Sequence, residues 1–423
     1  MNCLLLGNNG REAIIADEVS KGMKLFSILP YKNETIVNAV EKSGGKYQIG
    51  APSDKELVRK FIKENEIELL IVNSDSLLEE GLIDIGKELG IDVFGPTKKG
   101  AKIEWSKSYA LDIIEELAPE IVVRNYNITE ENMLNEVYEK YKETEFVVKP
   151  EGLTAGKGVK VGGVHFTTKD EGFDYARKCF KESGSVIIQD KVEGHEFTIM
   201  GFTDGKTIIT SPVTYDYPYR FDGDLGPGTG GMGCISAANG LLSFLTNEDL
   251  EKCKKVMNKV LQYINKDTLE FNGVLYGAFF KTNGEIKFLE FNSRLGDPEC
   301  LNVLTAMKTP FHEVVKSIAI DKEIKCEFKK EDTCVVYAVS KEYAIKSNDN
   351  PEIFTIDKNA IESNGVKVYF SAVDSLGNNK YKPTGTSRLF AIVGNSRDKV
   401  YEVVKNNVPK ELDYRMDIGK GLI

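Results

Sequence analysis

The stretch Leu289-Glu290-Phe291-Asn292-Ser293-Arg294-Leu295-Gly296-Asp297-Pro298-Glu299 gathers carboxylates, an amide and a guanidinium in one short run. Glu290 and Asn292 stand two apart, so on an extended chain they point the same way. Two oxygen ligands there can hold Mg²⁺ while its other positions go to water and phosphate oxygens. Arg294 adds a planar fork of donors for a phosphate or carboxylate. In outline this is metal-assisted phosphate chemistry. A half-buried strand with a solvated end, closed by a Gly-Asp-Pro turn, would leave the same letters. The preceding Gly284-Glu285-Ile286-Lys287-Phe288 makes the stretch a strand. Ile286, Phe288, Glu290 and Asn292 are expected on one face, Lys287, Leu289 and Phe291 on the other.

Two glycine-rich segments could supply the rest of such a site. Residues 150–161 hold Gly152, Gly156, Lys157 and Gly158 between two strands, and glycines with a lysine let a backbone fold tightly over phosphates. This is not the Walker loop, because no helix-opening Gly-Lys-Ser/Thr follows; a mobile hairpin would also explain it. Residues 222–233 are denser still in glycine and lie beside Asp222 and Asp224, which suits a substrate loop better than a linker. Gly7-Asn8-Asn9-Gly10-Arg11-Glu12 breaks a strand from a helix and can present N–H groups to an anion, but the full dinucleotide fingerprint is absent.

The elements that must position these groups alternate at first. Strand 2–6, helix from 13, helix 55–65, strand 68–72, a loop at Asn73-Ser74-Asp75-Ser76, a helix to Leu89 and strand 92–94 make a parallel α/β domain. Next come a helix over 102–116 carrying Ser106-Lys107-Ser108, an extended piece at 120–123, a helix over 129–141 capped by Thr129 with Asn132 three on, and strand 146–149. Strand 186–188, helix 248–263 and strand 273–280 lead to the opening stretch. From about 326 the character changes to strands at 334–339, 366–372 and 387–393 with a helix over 397–406, read as a separate α+β domain.

A chain of 423 residues should divide into two to four domains. A net charge of −10 without a basic aromatic patch argues against nucleic acid. No long apolar run suggests a membrane span, and the start lacks a signal peptide's features. Seven cysteines without paired spacing fit reduced thiols, and the wide spacing of three histidines, His165, His195 and His312, argues against a zinc site. The expected compartment is the cytoplasm.

Taken in order, GNNGRE at 7–12, VFGPTKKGAKIEWSKSYA at 93–110, VVKPEGLTAGKGV at 147–159, DGDLGPGTGGMG at 222–233, GVLYGAFF at 273–280, EFNSRLGDPE at 290–299 and YRMDIG at 414–419 resemble the ATP-grasp ligases, specifically the phosphoribosylamine-glycine ligase (glycinamide ribonucleotide synthetase) family. The resemblance spans nearly the whole chain, and GPGTGGMG followed by EFNSRLGDPE is its most specific part. It implies a mixed α/β and α+β protein: an N-terminal parallel α/β (pre-ATP-grasp) domain over 1–104, an ATP-grasp domain over 105–325 with a flap subdomain at about 120–190, and a small α+β domain over 326–423.

It also implies roles. Lys107 and Lys149 would contact ATP phosphates, with Gly152, Gly156, Lys157 and Gly158 in the flap above them. Gln189, Asp190 and Val192 would form the hinge against adenine, Glu196 would take the ribose hydroxyls, and Glu290 and Asn292 would hold Mg²⁺ or Mn²⁺. Gly10, Arg11, Glu12, Asp216, Asp224, Gly230, Gly231, Arg294, Gly296 and Asp297 would bind substrate, with Arg294, Lys149 and Asp297 serving catalysis. The implied partners are glycine and phosphoribosylamine, with no nucleic acid or membrane, in a monomer or weak homodimer.

The chain departs from the family's pattern in four places. Ala13 follows Arg11-Glu12 where the family has His-Ala, Asn73-Ser74-Asp75 replaces Gly-Pro-Glu, and Leu29-Pro30-Tyr31-Lys32-Asn33-Glu34 stands for a Pro-Gly-Asn segment. Tyr215-Asp216-Tyr217-Pro218-Tyr219 loses a lysine and an arginine, leaving Arg220 one position on. Nearly all lie on the side that would hold phosphoribosylamine. A ligase acting on another amine, or an ATP-binding sensor that has lost ligation, are the competing readings.

Overall fold

Asn2–Leu6 has no polar side chain after Asn2, and it becomes the central strand of a five-stranded parallel sheet in the order 47–49, 24–29, 2–6, 69–72, 92–94. Helices cover both faces, so both must be apolar. Cys3 and Leu5 face one core and Leu4 and Leu6 the other. The computed structural model describes residues 1–153, 158–346 and 351–423.

The second sheet is antiparallel and ten-stranded. Its main path runs 286–292, 273–281, 195–203, 214–216, 233–236, 333–340, 390–394 and 367–370. Gly233–Ser236 pairs with Thr333–Val336, so the stretch from 333 onward continues this sheet and shares its core, in which Phe197, Phe279 and Phe288 lie with Val336, Phe370 and Phe390. A four-stranded sheet, ordered 125–128, 186–190, 146–150, 160–161, carries helices Glu131–Tyr138 and Lys169–Ser183 on a core of its own.

Several elements differ from the sequence expectation, each for a local reason. The helix expected over 102–116 is two, Lys98–Trp105 and Lys107–Leu117, because Ser106 is extended and its hydroxyl caps the second one. The helix expected to reach Leu89 is broken at Gly81, whose φ of 82° lies in the left-handed region. Residues 119–121 form one 3₁₀ turn with Pro119 at its start. The Thr129 hydroxyl turns to the Met133 sulfur, and the helix begins at Glu131 after Glu130.

The strand 286–292 contains a bulge. Ala278 faces Glu290 and Phe279 faces Phe288, leaving Leu289 as the extra residue. A bulge reverses the alternation beyond it. Phe291 therefore joins Ile286 and Phe288 in the core, with the Phe288 and Phe291 ring centroids 4.7 Å apart, while Glu290 and Asn292 open to a cleft. The mixed face expected from strict alternation does not exist; the bulge separates its apolar half from its polar half.

Helix Gly10–Val19 seats its first turn against the ten-stranded sheet. A Cβ built on Gly10 would stand 2.2 Å from the Tyr337 hydroxyl oxygen. Gly10→Ala should therefore destabilise the protein by about 1–3 kcal/mol through overpacking, read as a lower urea midpoint; an unchanged midpoint would mean that this contact yields freely.

Candidate active site

The bulged strand, the first turn of helix Gly10–Val19 and loop 229–231 enclose one cleft of about 440 Å³. Of the residues singled out from sequence, Arg11, Lys107, Gly152, Glu196, Asp216, Gly230, Glu290, Asn292, Arg294, Gly296 and Asp297 line it. Lys149 stands beside it in a smaller adjoining cavity with Glu290 and Lys107. Others lie elsewhere. Glu12 is fully buried, accepting from the Asn9 amide at 2.9 Å and pairing with Arg11 at 3.0 Å, so it caps its own helix. Gly10 packs on Tyr337. Asp224 pairs with Arg415 at 2.9 Å, and Asp190 takes Arg124 at 2.9 Å and the Tyr141 hydroxyl at 2.8 Å. Gln189, Val192, Gly158 and Gly231 are outside the cleft lining; Gly156 and Lys157 fall outside the described residues.

Anion-binding groups collect on one side. The Lys107 ammonium donates to the Gly152 carbonyl at 2.5 Å, and Glu151 accepts from the Ser106 and Ser108 hydroxyls at 2.8 and 3.0 Å. The root of the glycine-rich segment is thus fastened to the start of helix Lys107–Leu117. Lys149 donates to the Leu289 carbonyl at 3.5 Å, a group that the bulge leaves out of register. Burial pushes the Lys149 ammonium down to about 8; Glu290 opposes this and Lys107 reinforces it. Arg294 pairs with Glu104 at 2.9 Å, its Nε has no partner among the described residues, and Glu104 also accepts from Ser293.

Carboxylates make up much of the remaining lining. Asp297 is held by Arg388 at 3.0 Å and by the Tyr337 hydroxyl at 2.7 Å, and Arg388 also donates to the Gly230, Gly231 and Asp297 carbonyls. Glu299 accepts from the Tyr276 hydroxyl at 2.8 Å. Asp75 lies nearer the arginines: burial raises its carboxyl, but Arg294, Arg11 and the Ser76 amide together hold it below the usual range. Glu196 has accessible surface on the cleft yet is surrounded by protein, and it is pushed up to about 7 by burial, then by Glu290 and Glu299, against Lys149. Sequence reasoning gave no role to Arg388, Tyr276, Glu104, Asp75 or Glu299. Glu299 and Asp75 stood in segments already singled out, whereas no signal marked Arg388.

Glu290 and Asn292 lie side by side, the Asn292 amide donating to Glu290 at 3.2 Å. Among the described residues no group of three or more His, Cys, Asp or Glu side chains is set to hold a metal. Two hard oxygen donors beside Lys107 and Lys149 fit Mg²⁺ or Mn²⁺, which shares its coordination with water and phosphate.

Residues 1–104 match the family described as phosphoribosylglycinamide synthetase, N domain, and residues 105–300 match its ATP-grasp (A) domain. The chain is 33% identical to the phosphoribosylamine–glycine ligase of Methanocaldococcus jannaschii, covering 99% of this chain and 96% of that one. It is 35% identical to that of Methanococcus maripaludis strain C5 over 100% and 97%. Among solved structures, phosphoribosylamine–glycine ligase from Thermotoga maritima superposes with a TM-score of 0.79 at 24% identity, covering 99% and 100%. The biotin carboxylase domain of Hydrogenobacter thermophilus 2-oxoglutarate carboxylase, in complex with MgADP and bicarbonate, does so with 0.71 at 14% identity, covering 98% and 91%.

The displaced titrations set a pH dependence. Glu196, raised from 4.5 to about 7, binds more protons folded than unfolded between those values, so stability falls as pH rises through that window. Lys149, lowered from 10.5 to about 8, works in the opposite sense, and stability recovers from pH 8 toward 10.5. In denaturant unfolding across pH, Glu196→Gln should flatten the lower slope and Lys149→Met the upper. An unaltered profile in either variant would remove that residue from the balance.

Proposed function

The chain belongs to the phosphoribosylglycinamide synthetase family, and from that premise we infer how its cleft performs the family's reaction. The protein is an ATP-dependent carbon–nitrogen ligase of purine biosynthesis that joins glycine to phosphoribosylamine. Glycine's carboxylate is a poor electrophile until one oxygen becomes a leaving group, so ATP phosphorylates it to a glycyl phosphate. The amine of phosphoribosylamine then attacks the acyl carbon, and phosphate departs.

Within that reaction the roles follow from where the groups stand. Lys107, Lys149 and Arg294 draw the phosphates in, Lys107 and Arg294 lining the cleft itself and Lys149 the cavity beside it. Little covalent work falls to the protein, so its contribution is positioning and charge stabilisation. Glu290 and Asn292 would hold Mg²⁺ or Mn²⁺, which supplies charge neutralisation on the transferring phosphoryl group. Gly152 starts the segment over the phosphates, Gln189 to Val192, at and beyond the end of strand 186–190, form the hinge, and Glu196 takes ribose hydroxyls. Asp216 and Asp297 are assigned to the substrate amine and ammonium.

The observation that carries this reading is the junction of both signatures in one cavity, Lys107 and Gly152 from the one and Arg294, Gly296 and Asp297 from the other. The altered loops remain part of it. Asp75 lines the cleft, and Asn73 accepts from the Leu295 amide at 3.0 Å. Arg220 does not stand in for the missing basic residues: it is buried, donating to the Tyr343 carbonyl and pairing with Asp413 at 2.7 Å. Among the described residues no helix is long and apolar enough to cross a membrane. All seven cysteines are buried and unpaired, which supports a reducing compartment such as the cytoplasm.

Purified protein with Mg²⁺-ATP and glycine should release ADP only when phosphoribosylamine is generated in situ from phosphoribosyl pyrophosphate and ammonia. Turnover with a different amine in its place would overturn the substrate assignment. Glu290→Ala should lower that turnover by about 100-fold or more, the loss of several kcal/mol of charge stabilisation, with the unfolding midpoint unchanged. Wild-type turnover in the variant would remove Glu290 from the metal.

A further inference from the structure

Seven carboxylates line the cleft: Asp75, Glu104, Glu196, Asp216, Glu290, Asp297 and Glu299. Glu104 is committed to Arg294, Asp297 pairs with Arg388 and already has a substrate-binding role above, and Asp75 lies in the field of Arg11 and Arg294. Glu290 and Glu196 have roles on the nucleotide side. That leaves Asp216 and Glu299 on the substrate side, neither in an ion pair among the described residues. Both contribute to the same wall. A Cβ built on Gly231 would come within 2.5 Å of both Asp216 Oδ1 and Pro298 Cδ, and one on Gly296 within 2.5 Å of Glu299 Oε2. Glu299 is 4% exposed, its Oε1 fixed by the Tyr276 hydroxyl. Asp216 Oδ1 is buried with no partner among the described residues.

We propose that Glu299 is the proton acceptor of the ligation step, working beside Asp216, which holds the substrate amine. This rests on the ligase reading above. In the step, the amine nitrogen's lone pair forms the C–N bond and the C–O bond to phosphate breaks, its electron pair leaving with phosphate. The proton released from nitrogen passes to Glu299 Oε2. Oε1 keeps the Tyr276 hydrogen bond throughout, so the carboxylate does not rotate away as its charge changes.

The surroundings support a carboxylate tuned for this exchange. Glu299 meets Tyr276 from strand 273–281, Asp216 from strand 214–216, Arg294 and Asp297 from its own segment, and Glu196 from strand 195–203. Burial raises it above the ordinary range, opposed by its own backbone amide, Tyr276 and Arg294 and reinforced by Asp297. Burial likewise raises Asp216, with Glu299 adding to it and Arg388 opposing. The charge of Glu299 thus adds to the cost of ionising Asp216 beside it. A base is most effective when its affinity for a proton lies near the working pH.

The test compares Glu299→Gln with wild type as full-length protein, using Mg²⁺-ATP, glycine and either phosphoribosylamine or hydroxylamine, a small strong nucleophile that can lose its proton to solvent. With phosphoribosylamine the variant's turnover should fall by about 10²–10⁴-fold. Hydroxylamine-dependent ADP release, which reports glycyl phosphate formation, should stay within a few-fold of wild type. The acid limb of the wild-type pH–rate profile should vanish in the variant. Equal loss with both nucleophiles would make Glu299 a structural or glycine-binding group, and retained ligation would end the proposal. If wild type itself turns over with neither nucleophile, the ligase reading falls and this assignment with it. Unfolding midpoints of both proteins separate these outcomes from misfolding.

Discussion

The carboxylate of Asp297 is the joint on which the cleft depends. It takes Arg388 and the Tyr337 hydroxyl, and Tyr337 is the group on which Gly10 rests. One side chain therefore links the segment after the bulged strand, the continuation of the large sheet beyond residue 333, and the N-terminal helix. Arg388 stands over the Tyr337 ring at 4.4 Å and donates to the Gly230 and Gly231 carbonyls, so the glycine-rich loop is tied to the same point. Removing one partner of such a buried pair strands the other charge, at a cost of about 3–5 kcal/mol. That penalty is why parts distant in sequence hold one geometry.

Around this joint the cleft is densely charged. Lysines and arginines stand among its carboxylates, and in low-dielectric surroundings charge acts more strongly than in bulk solvent. Lys149 illustrates the balance: burial alone would discharge it, and Glu290 helps to keep its proton. A phosphate entering beside it would favour the charged lysine further. The carboxylates have the complementary deficit, because the Glu299 charge raises both Glu196 and Asp216, and a cationic substrate amine beside Asp216 relieves it. Both kinds of group are least comfortable when the cleft is empty, so the substrates supply the missing charges.

The sequence carried most of the architecture and about half of the wall. Periodicity sufficed for the parallel sheet, because strands covered on both faces read as unbroken apolar runs. It failed at the strand that matters most: alternation has no way to register a bulge, and only the pairing of Ala278 and Phe279 with their partners reveals that Leu289 is extra. Spacing also could not separate Ser106 as a cap from Ser106 as a helix interior residue. The continuity of the sheet across 233–236 and 333–336 is a long-range pairing without a local signature. Arg388 was invisible for the same reason, since its meaning comes from Asp297, ninety-one positions away.

The departures from the family pattern have physical places, and those places explain how the chain tolerates them. Asn33, standing where a Pro-Gly-Asn segment was expected, is fully buried and donates to the Asn8 and Phe370 carbonyls. Arg220 leaves the cleft to bind Asp413 and the Tyr343 carbonyl, and Arg415 reaches back to the Tyr219 carbonyl and Asp224. The two arginines thus clamp the hairpin at 219–228 to the end of the chain from both sides. A basic residue lost from a substrate wall is ordinarily a lost contact. Here the guanidinium is redeployed to fix the hairpin beside the wall, where the Thr229, Gly230 and Gly231 amides are themselves spent on the Pro218 carbonyl and the Tyr343 and Thr229 hydroxyls. The altered loop therefore serves the cleft by a fixed shape rather than by a mobile charge.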